Sequence, residues 1–169
     1  YWLSQDRKRF KEFYLLHSTY LRNPEPERPG YVYMNLEHLL EQYGNDPRLF
    51  QLADRLTMSS PQHLVLKNLS GSSPEFLVTA LFRNKITEQV NHVVILNDSE
   101  EAAYFHNTLE NLTGALDLFY FPASFRNKKN FRLLHSSHVM LRTETLTRLS
   151  AGGNKKIVVT YPEALFEKV

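Results

Sequence analysis

The chain has 169 residues, 42% of them hydrophobic and 12% aromatic, with 20 Lys and Arg against 18 Asp and Glu. That composition supports a packed core of ordinary domain size rather than a disordered tail, and a formal charge of +2 is too small for the whole surface to bind nucleic acid. Without cysteine, a disulfide, a thiol nucleophile and a Cys-based zinc site are all excluded.

The charged start, Tyr1-Trp2-Leu3-Ser4-Gln5-Asp6-Arg7-Lys8, has no apolar stretch behind it, and no run approaches the ~20 apolar residues of a membrane span. A cytoplasmic location is expected, and a fragment of a longer protein. Residues 7–20 have a helical pattern in Phe10, Phe13, Tyr14 and His17, and Asn23-Pro24-Glu25-Pro26-Glu27-Arg28-Pro29-Gly30 breaks it. Two readings of residues 1–33 stay open: an extension, or an upstream stretch ahead of a start at Met34.

From Met34 the pattern is orderly. Asn35 predicts a cap for a helix through Leu36, Leu39 and Leu40 to Gly44. Asp46-Pro47 restarts a helix with an apolar face of Leu49, Phe50, Leu52, Ala53 and Leu56. Four short apolar runs then alternate with helical stretches. The runs at 63–69, 92–96, 116–121 and 156–160 predict parallel strands buried on both faces. The stretches at 74–89, 99–112 and 131–149, with a last helix from Pro162, predict helices around that sheet. The fold class is therefore α/β, a parallel sheet flanked by helices.

In such a sheet ligands sit beyond the C-terminal ends of the strands. The turn Asn68-Leu69-Ser70-Gly71-Ser72-Ser73-Pro74-Glu75 stands where a phosphate-binding loop would, between the first strand and its helix. A working loop reads G-x-x-x-x-G-K-[ST]. Here Asn68 and Ser73 replace the glycines, Pro74 the lysine and Glu75 the hydroxyl residue that would hold Mg²⁺. Pro74 brings neither charge nor N–H, and Glu75 brings a negative charge to a helix N-terminus. The same residues also make a plain helix start, with Ser72-x-x-Glu75 as a capping box.

The remaining candidates have structural readings beside functional ones. After the second strand, Asp98 or Ser99 caps a helix whose first turn carries Glu100 and Glu101. Arg126, Lys128, Lys129 and Arg132, interleaved with Phe125 and Phe131, could contact phosphates and bases or form a solvated loop. His135 and His138 share a helix face without an evident third metal ligand. Thr160 reads as the cap of the last helix, with Pro162 in its first turn.

The run from Asn68 to Leu81, the strand and capped helix His92-Val93-Val94-Ile95-Leu96-Asn97-Asp98-Ser99-Glu100-Glu101-Ala102, the segment Phe119-Tyr120-Phe121-Pro122-Ala123-Ser124, and the ending Arg142 to Leu149 followed by Lys156 to Leu165 together resemble the N-terminal module of bacterial transcription-repair coupling factors. That module is similar to the first domain of the excision-repair protein UvrB, a RecA-like P-loop domain, with the nucleotide site decayed. The resemblance covers about residues 34–169, and 1–33 match nothing in it. UvrB carries a damage-probing hairpin after its third strand; here residues 123–130 are too short for one. In relatives the last strand ends in a Thr-Pro that grips a nucleic-acid backbone, whereas Tyr161 separates Thr160 from Pro162 here.

The resemblance implies a parent that is an ATP-driven DNA translocase, displacing stalled RNA polymerase and recruiting UvrA for nucleotide excision repair. ATP and Mg²⁺ would belong to its motor domains, and the UvrA contact mainly to the next domain. It implies for this segment no cofactor, no catalysis, and a scaffold role with docking to the motor. The alternatives are a nucleic-acid-binding domain using 126–132 and Thr160, or an active P-loop ATPase or helicase fragment.

Overall fold

A computed structural model describes residues 35–114, 117–124, 136–153 and 155–167. The pattern read over 7–20 lies outside them. Asn35 is extended, and its side chain accepts from His38 N at 2.8 Å, starting α1, Leu36–Gly44. Asp46 accepts from Arg48 N at 2.8 Å and starts α2, Pro47–Leu56. Of the apolar face expected on α2, Leu49 and Ala53 are buried, while Phe50 and Leu56 are exposed.

The remaining elements are α3, Ser73–Arg83; β1, His92–Ile95; α4, Ser99–Thr113; β2, Leu118–Phe121; α5, Ser136–Ser150; β3, Ile157–Thr160; and α6, Pro162–Phe166. α4 stops at Gly114, whose φ of 77° lets its N–H turn back to Glu110 O at 3.0 Å. A side chain there would be strained, which makes glycine the natural residue.

The three strands form one parallel sheet in the order β1-β3-β2, with Val94 and Tyr120 both level with Val159. β3 is central, and all four of its residues are buried. Fully burying a side chain such as Ile157 or Val159 stabilises the fold by about 1.5–3 kcal/mol. Neighbours in register share a face. One face holds His92, Val94 and Tyr120 toward α3 and α4, where Phe82 meets His92 edge-on and His106 lies 5.5 Å from Tyr120, ring to ring. The other face holds Phe121, over which the Arg142 guanidinium of α5 stands at 4.1 Å. A second apolar cluster, Leu49, Ala53, Ala80 and Leu81, joins α2 to α3.

Several expectations need correction. Residues 63–69 form no strand, and Val65 and Leu66 are 65% and 51% exposed. No described strand pairs with the segment, and Asn68 at φ 66° ends its extended run. The helix expected over 74–89 ends at Arg83, because Asn84 turns extended and the Thr87 hydroxyl donates to Leu81 O and Asn84 O. Thr160 does not cap the last helix: Tyr161 occupies the cap position and Thr160 is fully buried in β3. The expected strands at 92–96, 116–121 and 156–160 correspond to β1, β2 and β3, but burial on both faces holds for β3 alone: β1 alternates, with Val93 and Ile95 more than half exposed.

Candidate functional site

The turn at 68–75 departs from a phosphate cradle in backbone as well as sequence. It is preceded by coil rather than a strand. Asn68 and Gly71 have positive φ, 66° and 58°, so the chain kinks twice before the helix. Ser73 closes the turn, its N–H and hydroxyl both donating to Ser70 O at 3.2 and 2.6 Å. The Ser72 side chain makes no cap bond, so the expected capping box does not form. Pro74 sits in the first turn of α3 with no N–H to offer a phosphate. Glu75 follows, partly buried, with Oε2 unpartnered among the described residues. Burial pushes its carboxyl above the usual range, against a weaker opposing backbone hydrogen bond. An acid with an unpaired oxygen stands where a nucleotide loop would supply a cation and a hydroxyl.

At the end of β1 the acidic residues are committed locally. Asp98 caps α4 through Oδ1, accepting from Glu100 N at 3.0 Å and Glu101 N at 2.9 Å. Glu101 reaches back and accepts from Asn97 N and Nδ2 at 3.0 and 2.7 Å. This reciprocal pairing neutralises orphan helix donors, which is the structural rather than the metal-holding use of the residues.

Beyond β2 and β3 the chain builds a polar cluster that sequence reasoning did not assemble. Arg142, only 5% exposed, donates to Pro122 O and Ala164 O, both at 2.9 Å. Its other terminal nitrogen reaches Glu167 O at 3.4 Å. The Glu167 carboxylate accepts from Ser124 N at 2.7 Å and from the Ser124 hydroxyl, and lies 3.9 Å from the guanidinium. Tyr161 Oη accepts from Ala123 N at 2.8 Å, and His138 Nδ1 donates to Ala123 O at 2.8 Å. Burial is the main force raising the Tyr161 phenol above its ordinary value, and it pushes Tyr120 up to about 12. The Thr160 hydroxyl donates to Phe121 O at 2.8 Å, so it offers no free group to a nucleic-acid backbone.

The cluster ties the end of β2 to α5 and α6. The basic segment with Arg126, Lys128, Lys129 and Arg132 follows Ser124 in the sequence. Those four residues, and His135, lie outside the described residues. No sequence signal marks the cluster, since the partners of Arg142 are main-chain carbonyls remote in sequence.

A separate cleft of about 240 Å³ opens between α1 and α3, lined by Leu40, Glu41, Gly44, Asn45, Ala80, Arg83 and Asn84. Its cation is engaged: Arg83 pairs with Glu37 at 2.7 Å and donates to Leu112 O at 2.9 Å. The described residues hold no group of three or more His, Asp or Glu fit to bind a metal ion, and no helix among them is long and apolar enough to cross a membrane. Comparison with protein-family models, with characterised proteins and with solved structures yields no match.

Proposed function

We propose that this chain is the N-terminal module of a transcription-repair coupling factor, a degenerate P-loop domain of RecA-like and UvrB-like type that no longer binds nucleotide. It serves as scaffold and regulatory docking surface in a DNA translocase that displaces stalled RNA polymerase and recruits UvrA. The observation that carries the reading is the start of α3. A triphosphate needs positive charge and free amide N–H groups there. Pro74 provides neither, and Glu75 adds an acid that is already poorly solvated. The small parallel α/β sheet is compatible with such a domain, and the Arg142 cluster gives it a rigid end on which a partner surface can be displayed.

Two measurements test this. Titration calorimetry of the chain with ATP and Mg²⁺ is expected to give no binding heat; tight Mg²⁺-dependent binding would end the nucleotide-dead reading. Removing residues 34–169 from the full-length protein is expected to raise the motor's ATPase rate, as a docked restraint is lost. It should also slow repair of the transcribed strand. A truncated protein matching the parent in both would end the regulatory reading.

A further inference from the structure

We draw no further inference here: the strongest candidate, the cleft between α1 and α3 lined by Leu40, Glu41, Ala80, Arg83 and Asn84, carries nothing, because its arginine is held by Glu37 and Leu112 O and nothing in the structure shows what covers it.

Discussion

The Arg142 guanidinium lies 4.1 Å above the ring of Phe121 and donates from one nitrogen to both Pro122 O and Ala164 O. One side chain of α5 thereby holds the end of β2 against α6. Removing it leaves buried carbonyls unpaired and takes the positive charge away from Glu167. Arg142→Met is expected to cost about 3–5 kcal/mol, the range for breaking a buried charged pair by deleting one member. Arg142→Lys should recover only part, because an ammonium lacks the planar fork that serves several carbonyls at once. Urea denaturation reads both, and a loss for Arg142→Met under about 1 kcal/mol would show the cluster to be ornamental.

Asp98 acts over a shorter range. Its Oδ1 takes two main-chain N–H groups of α4, and Glu101 secures Asn97 from the other side. Asp98→Ala is expected to destabilise by about 1 kcal/mol, the usual cost of a lost helix cap. Asp98→Asn keeps an acceptor and should lose a fraction of that. Equal stability of the alanine variant and the parent in thermal melts would contradict this account.

These two residues mark what the sequence discloses. Caps at Asn35, Asp46 and Asp98 are legible because donor and acceptor lie within three residues. The three strands are legible because a dense apolar run is sufficient for a buried strand that finds a neighbour. Residues 63–69 have the same kind of run without the neighbour, and an apolar run reports only capacity to pair. The helix expected over 74–89 overruns its end because no glycine or proline marks Asn84, where the backbone turns extended. Ser72 fails as a cap while Ser73 closes the turn, a choice between adjacent hydroxyls that composition cannot make. The Arg142 cluster was invisible because its partners are peptide carbonyls at 122, 164 and 167, which every residue type carries.

Histidine burial gives the fold a pH dependence. His92 stands edge-on to Phe82 with Nε2 unpartnered among the described residues, and burial lowers its pKa below the ordinary 6.5. His106, against Tyr120, is lowered mainly by burial, with Glu110 opposing. A depressed histidine is neutral in the fold, so its contribution is full above the unfolded value. As pH falls below 6.5 the unfolded chain takes the proton first, and stability declines until the folded histidine also titrates. The melting temperature is thus expected to fall between about pH 7 and pH 5. His92→Phe should keep the ring contact and flatten that slope; a variant with the parent's full slope would remove His92 from the explanation.

Glu75 has the opposite sign. In the first turn of α3 the helix dipole favours its charged form by about 0.3–1 kcal/mol. Leaving a buried polar group unpaired costs more, about 1–3 kcal/mol, and burial is the dominant cause of its raised pKa. The folded chain therefore holds this proton more tightly than the unfolded one. The resulting stability is present below 4.5 and is lost as pH rises through the folded value. Glu75→Gln does not titrate, so it should melt higher than the parent at neutral pH, and the difference should shrink as pH drops below 4.5. A constant difference at all pH values would mean that packing, not charge, separates the two. The same variant removes the acid that would repel a phosphate but keeps Pro74, which still supplies no N–H and no cation. ATP binding by Glu75→Gln is therefore expected to stay undetectable by calorimetry. Affinity gained from that single change would assign the loss of the nucleotide to the carboxylate alone and leave the proline without a part in it.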